Sequence, residues 1–436
     1  MLVLPMALQN LINVAVTSAD VVMLGKVGEV SLSASSLAGQ IQFIMTLIFF
    51  GLTSGAAVLT AQYWGKGDTK SIEKVLGIAL RFSIVIGIIF FCGAFFFPSQ
   101  IMSLFSPELP VIEQGAIYLK TVAPSYLFVS ITIIYLNIIR SIERVLVSTI
   151  VYLISLIVNI IINAVLIFGL FGFPQLGIQG AAIGTVIARA VELIIVIIYS
   201  RKLNHIINFK PSIIFIKDKH LFADFLHYSI PVTLNELMWA GGTSMSALII
   251  GHLGSPAVAA NSVAQVTRQF ATVVAFGLAN ATAIIIGKAI GEGKLDVAKL
   301  YAKRLIRLTL AAGFCGAIII LIIRPIAIAN LVLSVEAQNY LSVMMFVMAY
   351  FTIGQAYNTT MIVGVFRSGG DTKFGLYLDV LTMWGGCILL GAICAFWLKW
   401  PVLAVYVVLM SDEIVKLPFT TYHYKKMKWL KSVTRE

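Results

Sequence analysis

Residues 49–67 of this 436-residue chain read FFGLTSGAAVLTAQYWGKG, and residues 275–293 read AFGLANATAIIIGKAIGEG. Both stretches belong to a longer match, in which residues 5–81 align with residues 231–307 at a constant offset of 226 without a gap. The alignment contains 18 identities in 77 positions. Several fall at Gly and Pro, whose backbone geometry composition does not dictate. The chain therefore contains an internal duplication of a strongly apolar unit.

Composition indicates a membrane protein, because 59% of the residues are apolar, only 11% are charged and the mean hydropathy is +0.97. A span needs about 20 apolar residues. Twelve segments qualify, at 1–24, 39–62, 76–97, 118–139, 146–170, 177–200, 225–250, 261–290, 305–326, 340–365, 374–397 and 400–420. The predicted fold class is an all-α integral membrane protein with twelve transmembrane helices in two six-helix lobes. Because six is even, the lobes are related by a pseudo-two-fold axis along the membrane normal.

Four regions follow from this pattern. Residues 1–200 form the N-lobe with helices 1–6, and residues 225–420 form the C-lobe with helices 7–12. The intervening segment 201–224 carries five Lys and Arg and is predicted to be a cytoplasmic linker. Residues 421–436 form a basic cytoplasmic tail.

The net charge of +12 reflects membrane topology rather than nucleic-acid binding. Of the 31 Lys and Arg residues, 25 lie in or beside alternate loops, the linker and the C-terminal tail. Basic loops face the cytoplasm. We therefore expect a multi-pass protein of the cell membrane, the inner membrane where there are two, with both termini cytoplasmic.

The start of the chain carries two further expectations. The first span is too long for a cleavable signal peptide, and its start lacks a basic region. The segment before Pro5 is about a dozen residues shorter than the lead-in to Pro231 in the second copy, so the natural start is expected to lie upstream.

Several chemistries are disfavoured. The four Cys lie inside predicted spans, and the five His have no metal-ligand spacing, so no tightly bound metal is expected. No phosphate-binding G-x-x-x-x-G-K-[ST] loop is present, and nothing points to a cofactor or to an enzyme.

Ionisable residues inside spans are the first functional candidates, because an unpaired charge in hydrocarbon costs at least about 2.5 kcal/mol. Asp20 lies in the outer half of span 1, and its alternative role is to cap a helix terminus. Asn159 and Asn163 are four residues apart in span 5 and project from one face, with amide contacts between helices as the alternative. Thr185 in span 6 lies at a similar depth. These groups are expected to meet in one polar cluster, in which Asp20 exchanges a proton.

The other ionisable residues inside spans include a second candidate site, a predicted ion pair and four residues whose role the sequence does not decide. Glu236, near the middle of span 7, is predicted to contact a coupling ion or a cationic substrate, with pairing to a neighbour such as Arg268 as the alternative. Arg189 and Glu192 are three residues apart and are predicted to neutralise one another. Four more ionisable residues are either structural or part of a gate: Asp379, Asp412, Glu413 and Lys416.

Five motifs together carry a resemblance to a known family. They are Asp20-Val-Val-Met-Leu-Gly25 in span 1, Gln62-Tyr-Trp-Gly65-Lys-Gly67-Asp68 after span 2, the span 5 pair Asn159 and Asn163, Pro231 with Glu236 in span 7, and Arg367-Ser-Gly369-Gly370-Asp371-Thr372 after span 10. On these motifs the whole chain resembles the multidrug and toxic compound extrusion (MATE) family.

The resemblance implies two lobes around a central cavity and antiport of organic cations or drugs against H⁺ or Na⁺. It also implies an N-lobe cation or proton site at Asp20, Asn159 and Asn163, and a C-lobe cation site at Glu236. Na⁺ is thus possible at either acid. The Na⁺-coupled branch completes the C-lobe site with an acid on span 10, yet residues 340–366 contain no Asp or Glu. Proton coupling is therefore expected to dominate.

The sequence favours a secondary active exporter of amphipathic, cationic small molecules that works by alternating access as a monomer in the lipid bilayer. Two alternatives stay open. A flippase for a lipid-linked precursor would have the related architecture but a basic central cavity. A passive channel would belong to a different functional class.

Overall fold

The computed structural model describes residues 3–204, 206–207, 211–215, 218–330 and 333–435. Every regular element in these ranges is helical, so the predicted all-α class is confirmed. The α-helices are α1 (Val3–Gly25), α2 (Glu29–Lys66), α3 (Thr69–Phe96), α4 (Pro98–Ser103), α5 (Leu109–Ser141), α6 (Val145–Phe168), α7 (Gly177–Ile198), α8 (Lys219–Gly251), α9 (Ser255–Gly291), α10 (Leu295–Asn330), α11 (Val335–Thr359), α12 (Lys373–Asp379), α13 (Leu389–Ala392), α14 (Val402–Leu409) and α15 (Asp412–Lys425).

Wider, π-helical turns continue four of these helices. One follows α7 at Tyr199–Leu203, and another follows α11 at Thr360–Phe366. Two more lie on either side of α13, at Val380–Ile388 and Ile393–Trp397. Such turns locally change which side chains share a helix face.

The duplication is visible in the backbone. Helix α1 ends at Gly25 and α8 ends at Gly251, which is the offset of 226 found in the sequence. The turn after the next helix contains Gly67 in the first copy and Gly293 in the second, with φ of 80° and 75°. Glycine adopts this left-handed conformation without steric cost. The same turn therefore connects α2 to α3 and α9 to α10.

The turn after α5 also has a residue with positive φ, but that residue is not glycine. Glu143 has a φ of 67°, whereas the corresponding turn of the second copy places Gly370 at 83°. A side chain at such a φ is strained, at a cost on the order of 1–3 kcal/mol. The segment after span 4, which lacks the Gly-Gly-Asp-Thr of its repeat partner, thus makes a glycine-type turn without glycine.

The chain divides into two compact units. The N-unit consists of Leu8–Thr60 and Gly67–Ser229, and the C-unit consists of Met1–Ala7, Ala61–Lys66 and Ile230–Glu436. Of the predicted linker 201–224, residues 205, 208–210 and 216–217 lie outside the described residues.

Nine helical segments of the described chain are long and apolar enough to cross a membrane. Three of the twelve predicted spans are not among them, namely 1–24, 225–250 and 400–420. The last is broken at Met410 and Ser411, so that α14 and α15 have only 8 and 14 residues. The twelve-helix count stays a prediction.

The segment after α15 is built into the C-unit. Trp429 is fully buried and stacks on Tyr424 with ring centroids 5.7 Å apart. The Gln62 amide, near the end of α2, donates to the carbonyl oxygens of Ser368 at 2.7 Å and Lys431 at 3.1 Å. Its own oxygen accepts from the Val433 amide at 2.7 Å. Much of the predicted basic tail is therefore anchored to the end of α2.

Candidate functional site

In the N-unit, α1 and α6 bring a carboxylate and two amides together. The Asn163 side-chain amide donates to Asp20 Oδ1 at 2.6 Å and lies 3.3 Å from Asn159 Oδ1. Asn159 and Asn163 are buried, and both project from the same face of α6. The structure thus brings together three of the residues singled out from the sequence.

Helix α7 closes this cluster from another side. Gly184 lies so close to Asn163 that an added Cβ would come within 1.9 Å of its Oδ1. That buried oxygen has no hydrogen-bond partner among the described residues. The neighbouring Thr185 hydroxyl, also buried, donates to the Ala181 carbonyl oxygen at 3.1 Å. Thr185 therefore sits beside the cluster, while its hydroxyl proton is used within its own helix.

Two residues near Asp20 were missed as members of this site. The Tyr118 hydroxyl of α5 interacts with Thr185 and lies within electrostatic range of Asp20. The Arg189 guanidinium also lies within electrostatic range of Asp20. Arg189 is bound to Glu192 at 2.7 Å, which confirms that predicted pair. Only the contact between helices, which the chain pattern does not specify, places Arg189 near Asp20.

The chemistry of this cluster suits a proton or a small hard cation. Carboxylate, amide and hydroxyl oxygens are ligands that alkali and alkaline-earth cations accept. When ionised, Asp20 accepts from Asn163; when protonated, it gains a donor of its own. The unpartnered Asn163 Oδ1 is the acceptor that a cation or a protonated group would satisfy.

In the C-unit, Glu236 is paired, but not with the neighbour proposed from sequence. Its Oε1 lies 2.8 Å from Arg367 Nη2, and the same nitrogen donates to Asn235 Oδ1 at 2.8 Å. Arg268 instead donates to Gln355 at 2.8 Å and to Gln265. Arg367, interpreted from sequence as a loop charge, is only 2% exposed, because it continues the helical path beyond α11.

The network extends from Asn235 into a cluster of acids. The Asn235 amide donates to Asp379 Oδ2 at 2.5 Å, and Asp379 Oδ1 lies 2.7 Å from Lys416 Nζ. Lys416 also lies 3.0 Å from Asp412 Oδ2 and 3.9 Å from Glu413 Oε1. Four residues that the sequence left undecided thus form one buried cluster.

Helix α11 contributes the amide of Asn358, whereas the Na⁺-coupled branch is expected to have an acid on this span. Asn358 donates to Glu413 Oε2 at 2.8 Å and accepts from the Thr420 hydroxyl at 3.0 Å. The carboxylate beside α11 is therefore supplied by α15. As the side chains of the described residues stand, with Lys416 among the acids of the C-unit, no group of three or more His, Cys, Asp or Glu is arranged to hold a metal ion.

A duplicated, all-helical membrane chain with buried ionisable clusters in its units has the construction of a multi-pass secondary transporter. The family model MatE matches residues 5–165 and 231–393. The chain therefore belongs to the MATE family of membrane transporters and is not an enzyme.

Individual relatives agree with this assignment. "Probable multidrug resistance protein NorM" of Rhizobium meliloti is 26% identical over 90% of this chain and 84% of its own length. "Probable multidrug resistance protein YoeA" of Bacillus subtilis is 25% identical over 90% of this chain and 85% of its own length. A solved MOP superfamily transporter from Pyrococcus furiosus has a TM-score of 0.88 at 16% identity, covering 99% of this chain and 96% of that one. That likeness supports the same fold.

Proposed function

We propose that this protein is an exporter of amphipathic, cationic small molecules, driven by H⁺ or Na⁺ entry across the plasma membrane. The contact of 2.6 Å between the Asn163 amide and the Asp20 carboxylate carries the proposal. It joins the only acid of α1 to a buried amide pair on the neighbouring helix α6. The names of the two bacterial relatives support drug-like substrates.

Asp20 is the proposed coupling residue, with Asn159, Asn163 and Thr185 around it. Proton or cation binding neutralises the carboxylate, and the amides then rearrange their hydrogen bonds around the neutral site. A cationic substrate competes for the ionised form. The gradient is sufficient, because one charge moving through 100 mV releases about 2.3 kcal/mol and each pH unit adds about 1.4 kcal/mol.

Glu236 is a weaker candidate for direct cation binding. It is already paired with Arg367, and the acids beyond Asn235 surround Lys416. This supports proton coupling in the N-unit over a second Na⁺ site in the C-unit. The same network, in which acids outnumber bases, is less suited to an anionic lipid-linked precursor.

Transport by purified protein in proteoliposomes tests the proposal. A fluorescent organic cation is loaded, and its movement is followed under a pH gradient alone, a Na⁺ gradient alone, and neither. We expect uphill movement under the pH gradient. Movement that only ever runs down the gradient of the fluorescent cation would indicate a passive channel and overturn the proposal.

A further inference from the structure

The Lys416 ammonium lies where a small cation would be expected among carboxylates. Asp379, Asp412 and Glu413 surround it at N–O distances of 2.7, 3.0 and 3.9 Å. Lys416 is 2% exposed, and all three acids are buried. A buried ammonium is tolerated only when carboxylates replace its water shell, so the lysine and the acids stabilise each other.

The second halves of the two copies align without a gap at an offset of 227. This register pairs Arg140 with Arg367 and Pro174 with Pro401, both as identities. The corresponding hydrogen bonds are also alike: Arg140 lies 3.4 Å from Gln9 Oε1, as Arg367 binds Asn235, and Gln9 and Asn235 are repeat partners. The duplicated scaffold therefore includes an arginine–amide contact in both copies.

The same register pairs Arg189 with Lys416, so each copy has a base at this position of its last long segment. The acids differ. Tyr152 and Thr185 stand where the C-unit has Asp379 and Asp412. The base of the N-unit is held by Glu192 on its own helix, which leaves Asp20 to the amides. In the C-unit, three acids converge on the base.

The balance of charges in the C-unit network depends on Lys416. Four buried or half-buried carboxylates, at Glu236, Asp379, Asp412 and Glu413, face the cations of Arg367 and Lys416, with the Arg268 guanidinium within electrostatic range of Asp412 and Glu413. Without Lys416 the three acids around it would have no cation in direct contact among the residues that the structure describes. Their mutual repulsion in a low-dielectric interior would then favour uptake of an external cation.

We propose that Lys416 is a built-in counter-cation, which occupies a latent monovalent-cation site of the C-unit and restricts cation coupling to the N-unit. The inference deepens the proposed function. Its test is binding of Na⁺ to purified protein, which does not depend on transport. Failure of the inference about Lys416 is therefore distinguishable from failure of the proposed transport function.

The experiment measures ²²Na⁺ binding to purified protein in the Asp20→Asn background, so that the acid of the N-unit does not contribute. We expect no saturable binding by Asp20→Asn alone. Adding Lys416→Met should create saturable binding in the millimolar range, at least tenfold above the parent, and further addition of Asp379→Asn should remove it. Lys416→Arg and the surface control Lys299→Met should bind no more than the parent.

If Lys416→Met folds poorly, a second test compares its recovery and melting temperature in NaCl and in choline chloride. Recovery and melting temperature that rise only in NaCl would support the latent site, because choline is too large to replace an ammonium among three carboxylates. Equal recovery in both salts without ²²Na⁺ binding would overturn the proposal, as would saturable Na⁺ binding by Asp20→Asn that Asp379→Asn abolishes.

Discussion

The Arg367 guanidinium lies 2.8 Å from the Glu236 carboxylate, and this ion pair ties the turn beyond α11 to the interior of α8. Arg367 is almost fully buried, whereas the Glu236 side chain keeps 15% of its surface exposed. Removing one partner of a buried pair leaves an uncompensated charge at a cost of about 3–5 kcal/mol. The two residues are therefore expected to respond very differently to substitution.

Arg367→Met should destabilise the protein strongly, because Glu236 and Asn235 lose a shared donor. Glu236→Gln should have a smaller effect on stability, since Gln still accepts from Arg367 and part of the side chain is exposed. Thermal unfolding in detergent measures both, with the exposed Arg304→Met as the control. A melting temperature of Arg367→Met equal to that of the control would contradict the structural role given to this pair.

Asp20→Asn should abolish coupled export while folding and membrane insertion are retained. Asparagine keeps the size and hydrogen bonding of the carboxyl but does not titrate, so substrate binding persists without gradient-driven accumulation. Drug resistance of cells at matched expression is the readout, and Asp296→Asn at an exposed position is the control. Full resistance in cells carrying Asp20→Asn would shift the coupling role to Glu236.

Gly184→Ala should impair transport without touching any charge. The added methyl would lie 1.9 Å from Asn163 Oδ1, so the amide must move away from its position beside Asp20. We expect at least a tenfold loss of initial export rate. Gly39→Ala, where a Cβ meets nothing within 4 Å, should transport as the unmodified protein does. Equal rates for the two variants would show that the position of the Asn163 amide is unimportant.

The start of α8 should show a small, pH-dependent stabilisation. The Leu221 backbone amide and the Lys74 ammonium hold the pKa of Asp218 below its usual range. A depressed carboxyl pKa stabilises the fold above the unfolded-state value and loses that effect as pH falls through the folded-state value. Asp218→Asn should therefore lower stability at pH 7 by about 0.2–1 kcal/mol, as for exposed pairs. Unfolding measured at pH 7 and near pH 3 should show this difference shrinking, and a constant difference would refute the assignment.

The proposed orientation places Lys70 and Lys299 on the cytoplasmic side. Cysteines introduced there, in a variant without the four native cysteines, should resist an impermeant thiol reagent added to intact cells and react after permeabilisation. A cysteine at Glu108 is the positive control, because the loop between spans 3 and 4 contains no Lys or Arg in residues 98–117 and is expected to lie outside. Labelling of intact cells at Lys70 or Lys299 would reverse the orientation and the depth assigned to Asp20.

Sequence reasoning succeeded where periodicity and the repeat determine position. The spacing of Asn159 and Asn163 places both on one face of α6, and their depth predicted contact with Asp20. Contacts that depend on how one helix packs against another were not accessible. For Glu236 the sequence predicts contact with an ion or a substrate, with Arg268 as the alternative partner, because Arg367 has the sequence position of a loop charge.

The acidic cluster around Lys416 was equally hidden, since helix-to-helix contact joins Asp379 of α12 to Lys416 of α15. A usable signal existed in the second register of the repeat. At an offset of 227 it pairs Lys416 with Arg189, which marks the base as part of the scaffold. The acids of the C-unit have no equivalent in the N-unit, so no internal comparison reveals them.

The contact between Gln62 and residue 431 also bears on the order of biosynthesis. The two residues are 369 positions apart, so at about 5–20 residues per second roughly 20–70 s pass between their emergence from the ribosome. Until residue 368 is made, the Gln62 amide, fully buried in the finished protein, has neither of its carbonyl acceptors, and after that it still lacks the Lys431 carbonyl. The end of α2 is inserted early but acquires its partners at Lys431 and Val433 much later. This part of the C-unit can therefore form only after translation has passed residue 433, by docking of the segment that follows α15.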